Sequence, residues 1–274
     1  MNWRAFFCHL FVPKLVLKLQ MLAFVVFVAS LLGYSPDWSG TLGFLLFFLT
    51  YLSTYFYNDL VDAGSDRKKA VYPAKLLARG WATQSEYLFL AVNLFAAGVL
   101  ITASYDLLLG AVAFLAVLLN NIRSHIREIL PRQVLLILVE YLNFVAAWIS
   151  LYGDFPGILE SAVLMEYCLL YALGHIVYKV RNPLESSLQR ADIASIAFFA
   201  VLLAIPTLYV ISRHWAGLVF GAGGAFLYAI PQHIRVGRGD LHNQTFVDRI
   251  FWQHSVLMGV VGIWFLAGAL IILL

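Results

Sequence analysis

Charge is what this chain has least of. Of its 274 residues only 12% are Asp, Glu, Lys or Arg, and 62% are hydrophobic. An ordinary soluble domain is about 25% charged and 45–50% apolar. A soluble fold of this length would lack the polar groups to cover its own surface, so the apolar excess needs lipid as its solvent. Alternation is missing as well. Runs such as 22–32 and 257–274 show no two-residue period, which excludes the pattern of a membrane barrel. Spanning backbone must satisfy its own hydrogen bonds, which leaves helices. The two cysteines, Cys8 and Cys168, are too few for a disulfide framework and read as packing residues. No Gly/Ser linker or low-complexity stretch divides the chain, so residues 1–274 are expected to form a single transmembrane domain. The net charge of +3 gives no nucleic-acid signal. The first apolar run is followed by Gly33-Tyr34-Ser35-Pro36, without a clear small-residue cleavage site, and reads as a first span.

What is present is a series of apolar segments, most close to the roughly 20 residues that cross a bilayer as helix. Nine are expected, at 15–34, 39–57, 87–103, 107–122, 134–151, 157–180, 193–211, 215–234 and 250–273. The basic residues fall between them unevenly. Arg4, Lys14 and Lys18 lie at the N-terminus. Arg67, Lys68, Lys69, Lys75 and Arg79 follow the second, and Arg123, Arg127 and Arg132 the fourth. Lys179, Arg181 and Arg190 follow the sixth, and Arg235, Arg238 and Arg249 the eighth. Of the 18 Lys and Arg residues only Arg213 falls on the other side. The positive-inside rule makes the basic side cytoplasmic, with the N-terminus inside and the C-terminus outside.

Chemistry concentrates at the end of the second span, in Asn58-Asp59-Leu60-Val61-Asp62-Ala63-Gly64-Ser65-Asp66-Arg67. Carboxylates spaced by three and then four share one face of a helix. Three like charges repel, and a helix C-terminus disfavours anions further. A hard divalent cation compensates such a group, and magnesium takes one or two carboxylates together with substrate phosphates. Asp59, Asp62 and Asp66 are therefore the candidate Mg²⁺ ligands, with Asn58 beside them. Arg67, Lys75 and Arg79 stand next in line to meet phosphate oxygens.

An N-D-x-x-D-x-x-x-D-R stretch at this place in a nine-span chain resembles the UbiA superfamily of intramembrane prenyltransferases. Lys75-Leu76-Leu77-Ala78-Arg79-Gly80 sits where that family commonly has Arg-Pro-Leu-x-x-Gly. The family's second Asp motif follows span six. Here that place holds Tyr178-Lys179-Val180-Arg181-Asn182-Pro183-Leu184-Glu185, continuing to Gln189. Asn182, Glu185 and Gln189 keep the three-then-four spacing but only one of them is charged. The two sites, near 58–67 and 178–189, fit a four-helix pseudo-repeat. The resemblance implies an all-α integral membrane fold of nine transmembrane helices around a central cavity. It implies Mg²⁺-dependent transfer of a prenyl group from a prenyl diphosphate to a lipid-soluble or aromatic acceptor, with membrane lipid around it. Asn58, Asp59, Asp62 and Asp66 would be the catalytic residues, the three aspartates holding the metal. Substrate would meet Arg67, Lys75, Arg123, Arg127, Tyr178, Lys179, Arg181, Asn182, Glu185 and Gln189.

Other readings stay open on the sequence. The weakened second motif also fits a UbiA-type terpene cyclase, or a phosphosugar transferase using polyprenyl phosphate. A non-enzymatic lipid binder or transporter would need paired polar groups near the midplane, for which Glu140 and Glu166 are candidates. Asn93, Glu140, Asn143 and Glu166 lie inside apolar spans, where polar groups usually face a partner or a cavity. His233, His242 and His254 lack a compact ligand spacing. Among the aromatics near the motif are Tyr51, Tyr55, Phe56 and Tyr57, whose ring faces would suit a carbocation. The sequence leaves acceptor, prenyl length and oligomeric state undetermined.

Overall fold

The computed structural model describes residues 1–69, 76–77, 79–126, 129–181, 190–224 and 244–274. It gives backbone alone at 64–69, 129–130, 171–181, 190–196, 198–199, 202–203 and 244–255. Among the described residues all regular structure is helical. In chain order the helices are α1 (Trp3–Leu31), α2 (Thr41–Lys69), α3 (Gln84–Tyr105), α4 (Leu107–His125), α5 (Ile129–Tyr152), α6 (Ile158–Arg181) and α7 (Arg190–Ile211). They are followed by α8, described over 215–224, and α9 (Gln244–Leu273). Six regions of the described chain are long and apolar enough to cross a bilayer. This is the build of an integral membrane protein. The remainder of the expected eighth span, 225–234, lies outside the described residues.

Several helices overrun the apolar spans that the sequence suggests. Helix α1 starts at Trp3 and covers 29 residues, about 44 Å at 1.5 Å per residue, longer than the roughly 30 Å hydrocarbon core. A π turn at Phe7–Phe11 leads into Pro13. Proline has no N–H to give the preceding turn, and a wide turn accommodates that loss without ending the helix. Helix α2 continues through Lys69, so the whole first motif is helical.

Neighbours in sequence pack as neighbours in space. Helix α2 lies against α3 and α4, α4 against α5, and α6 against both α5 and α7; α1 packs on α5 and α9. Close approach is set by small residues, as expected where lipid supplies no hydrophobic drive. A Cβ on Gly40 would fall 1.5 Å from the Ser150 carbonyl oxygen, and Asp37 N–H donates to Leu151 O at 3.0 Å. These contacts fix the start of α2 on the end of α5. Halfway along, Gly98 of α3 faces Thr50 of α2, and the Thr50 and Thr102 hydroxyls are 3.0 Å apart.

Two apolar clusters result. The larger joins α1, α2, α4, α5, α6, α7 and α9 and includes Phe24, Phe27, Phe44, Phe47, Phe144 and Phe265. The smaller sits around the C-terminal half of α2. It holds Phe6 and Leu10 of α1, Phe48, Leu52 and Phe56 of α2, Leu76 and Leu77, and Tyr87 of α3.

Candidate active site

Described residues beyond α2 join the smaller apolar cluster near the motif. Leu76 and Leu77 are fully buried beside Phe56. Gly80 reverses the chain with φ +69°, a left-handed conformation that a side chain would strain. Thr83 and Glu86 then form a reciprocal capping box that starts α3. One turn inside α3, Tyr87 packs edge-on against Phe56, with ring centroids 4.9 Å apart. Its hydroxyl neighbours the Asp59 carboxylate. Asp59 is buried at 7% exposure although it is charged, and it lies ten residues before the end of α2.

Asp62 lies on the adjoining side, facing α4. Asn58 Nδ2 donates to Asp62 Oδ2 at 3.3 Å. The Asn58 oxygen in turn accepts from Ser124 Oγ at 3.0 Å. Ser124 also donates to the Asn120 carbonyl at 3.1 Å, and Arg123 Nε donates to Asn120 Oδ1 at 2.8 Å. One residue on, His125 Nε2 is 2.8 Å from the Tyr57 hydroxyl. The last turn of α4 thus holds Asn58 by its oxygen and leaves its amide to orient Asp62. Ser124 and Tyr87 are partners that sequence reading missed. Neither is unusual as a residue type, and their roles come from contacts across α2, α3 and α4.

The sequence-predicted residues divide as follows. Asn58, Asp59, Asp62 and Arg123 come together at the ends of α2 and α4. Asp66 and Arg67 continue α2 as backbone, and Tyr178, Lys179 and Arg181 close α6 as backbone. Lys75, Arg127, Asn182, Glu185 and Gln189 lie outside the described residues, as do His233 and His242. The Arg79 guanidinium stacks over Trp81 at 4.7 Å instead of standing as a plain surface cation.

Two sequence expectations need correction. Lys18 counts among orientation charges in sequence, yet it is completely buried within the bundle. Its ammonium is 3.4 Å from Glu140 Oε2 and 4.4 Å from the centroid of Tyr51. An ammonium in an apolar interior needs such partners to offset its lost hydration. One turn nearer the motif, Lys14 lies 4.5 Å over the ring of Tyr55. Each of these tyrosines therefore already has a cation on one ring face. Phe56 is packed between Phe6 and Tyr87, and Tyr57 is tied to His125. The aromatics beside the motif serve the lysines and the packing before any substrate cation.

Glu140 also accepts from Asn143 Nδ2 at 3.2 Å. Glu166 Oε2 and Asn143 Oδ1 are buried without a hydrogen-bond partner. Asn93 is exposed and bonds back to Phe89 O at 2.7 Å. Among the described residues no three His, Cys, Asp or Glu side chains converge as a self-sufficient metal cage. The donor set at this helix end is one buried and one half-buried carboxylate, Asp59 and Asp62. That set fits magnesium, which keeps waters and takes phosphate oxygens beside one or two carboxylates. It does not fit a softer metal that needs His or Cys ligands.

No family model matches the chain, and no curated protein matches it by sequence. Solved structures do. A UbiA homolog from Archaeoglobus fulgidus bound to DMAPP and Mg²⁺ superposes with a TM-score of 0.57 at 17% identity, covering 94% of this chain and 98% of that one. A UbiA homolog from Archaeoglobus fulgidus bound to GPP and Mg²⁺ gives 0.54 at 17% identity, covering 93% and 99%. A digeranylgeranylglyceryl phosphate synthase gives 0.56 at 15% identity, covering 93% and 98%. Matches at this identity speak for backbone architecture, and they extend over nearly the whole chain: this is an integral membrane protein with the UbiA fold.

Proposed function

We propose that the chain transfers a prenyl group from a prenyl diphosphate to an acceptor inside the membrane, with Mg²⁺ held at the end of α2. The observation that carries this reading is the buried Asp59 beside the Asn58–Asp62–Ser124 network, found in a chain with the UbiA fold. Two of the similar structures hold Mg²⁺ with an allylic diphosphate. Under this reading the basic face is cytoplasmic and one domain spans residues 1–274.

Asp59 and Asp62 would hold the metal, with Asp66 the third carboxylate of the motif. When bound, Mg²⁺ supplies charge neutralisation to the diphosphate as it leaves. Tyr87 and the buried apolar wall of Phe56 keep Asp59 in a low-dielectric setting, where its charge acts strongly. Ser124 fixes Asn58, and Asn58 fixes the Asp62 carboxylate, so neither has to reorganise when substrate arrives. Arg67, Lys75, Arg123 and Arg127 would meet phosphate oxygens from the first site. Tyr178, Lys179, Arg181, Asn182, Glu185 and Gln189 would serve from the second, with Glu185 its single carboxylate. The helix bundle excludes water, which would otherwise capture an allylic cation.

The test is direct. Purified protein is incubated with Mg²⁺, allylic diphosphates and a panel of lipid-soluble and aromatic acceptors, and products are identified by mass spectrometry. A prenylated acceptor formed only with Mg²⁺ is the expected result. Intact allylic diphosphate under all conditions contradicts the reading, and a cyclised hydrocarbon product would replace transfer with cyclisation.

A further inference from the structure

The most unusual buried group outside the motif is Lys18. It is fully enclosed and pairs with Glu140 of α5 while its ammonium covers the ring of Tyr51 on α2. Three helices are thus tied together at one level. On α2, Tyr51, Tyr55, Asn58 and Asp62 are spaced four, three and four apart, which places them along one stripe. The tie at Tyr51 therefore lies on the stripe that leads from the motif into the membrane. Its distance from Asp59 is eight residues, about 12 Å along the helix.

Below this level the interior is filled. Phe24 of α1 packs against Phe144 of α5, Tyr167 of α6 and Phe265 of α9, with centroids at 5.8, 4.4 and 5.0 Å. Phe144 and Tyr167 meet at 5.4 Å. The space left among Leu17, Gln20, Glu140, Phe144, Tyr167 and Cys168 is about 10 Å³, too little for a hydrocarbon branch.

We propose that the Lys18–Glu140 pair with Tyr51 is the floor of the donor's prenyl pocket and limits the chain to donors of one or two isoprene units. This rests on the prenyl-transfer reading above. An extended isoprene unit advances roughly 5 Å, from four carbon–carbon bonds of about 1.5 Å each. Two units extend about 10 Å, within the roughly 12 Å between Asp59 and Tyr51, and four extend about 20 Å, well beyond it. A longer apolar chain would have to displace a buried ion pair, which strands two charges in a low-dielectric interior, and then meet close-packed rings that yield little.

The experiment compares kcat/KM for C5, C10, C15 and C20 allylic diphosphates in the wild type and in Lys18→Ala/Glu140→Ala. Removing both charges at once leaves no unpaired ion, and it opens the floor. The wild type is expected to use C5 or C10 at least tenfold better than C20. The double variant should raise C20 use at least tenfold relative to C5. Lys18→Met/Glu140→Leu refills the same volume without charge, a change buried pairs often tolerate, and should keep the short-donor preference. Wild-type preference for C20 overturns the floor while leaving prenyl transfer intact, because the chain then leaves sideways between helices. An unchanged length profile in a folded Lys18→Ala/Glu140→Ala protein overturns it too. If that variant does not fold, the wild-type profile alone decides. No turnover of any donor overturns the underlying reading and the floor with it.

Discussion

The two ends of the helix bundle use the same residue type for opposite purposes. At the end formed by the starts of α2, α4 and α6, carboxylates cap backbone. Asp37 accepts from Ser39 N at 2.9 Å, Asp106 from Leu109 N at 2.7 Å and Asp154 from Phe155 N at 2.8 Å. Glu160 accepts from the Tyr34 hydroxyl at 3.0 Å. Free N–H groups are available there, and the helix dipole favours negative charge. At the motif end, Asp59 and Asp62 sit within the helix, ten and seven residues before its end at Lys69, where the backbone N–H groups already serve the helix. Asp59 is buried regardless. A carboxylate that caps stabilises the fold. One buried inside a helix, with no backbone N–H left to cap, is available for a cation.

That contrast can be broken from either end. The largest effect is expected at the motif. Asp59→Asn or Asp62→Asn should lower Mg²⁺-dependent turnover about a hundredfold or more, with unfolding free energy changed by less than about 1 kcal/mol. Parallel turnover and thermal-melt measurements in detergent read both; a collapse of stability with each substitution would make these aspartates structural like Asp106. Next comes Asn58→Ala, which removes the link from Ser124 to Asp62. Partners of metal ligands typically contribute 10–100-fold, so a loss of about tenfold in turnover is expected, and Ser124→Ala should act in the same direction with a smaller loss.

At the other end the pattern inverts. Asp106→Ala should destabilise by about 1 kcal/mol through its lost N-cap and leave turnover per folded molecule unchanged. The smallest effect concerns Asp37. Its hydrogen bonds from Ser39 hold the carboxyl below its ordinary value of 3.8. A depressed pKa stabilises the folded state above the unfolded value, and that contribution disappears as pH falls through the folded value. The difference in Tm between wild type and Asp37→Asn should be present near pH 7 and vanish in acid below the usual carboxylate range. A difference independent of pH would assign it to packing.

Much of this was legible in the residues. Apolar runs and the one-sided basic loops mark the helices and their order, because lipid imposes composition on whole segments. The first motif stands out because spacing of three and four is a helical signal that needs no tertiary information. What stays hidden is which face each carboxylate takes. Asp59 turns to Tyr87 and Asp62 to Asn58, a choice made by where α3 and the close of α4 lie against α2. Lys18 was misread for a related reason. Near a membrane end a lysine looks like an orientation charge, and only the approach of α5 with Glu140 reveals its burial. The extent of α1 was likewise obscured by His9, Pro13 and Lys14, which interrupt hydropathy without interrupting helix.

The central claim is that Asp59 and Asp62 hold a divalent cation together with a diphosphate. Mn²⁺ can stand in for Mg²⁺ and be followed by electron paramagnetic resonance in purified protein with an unreactive allylic diphosphate analogue. Bound Mn²⁺ should appear in the wild type only when the analogue is present, and should be lost in both Asp59→Asn and Asp62→Asn. Mn²⁺ bound equally in wild type and both variants, or without any dependence on the diphosphate, would contradict the account.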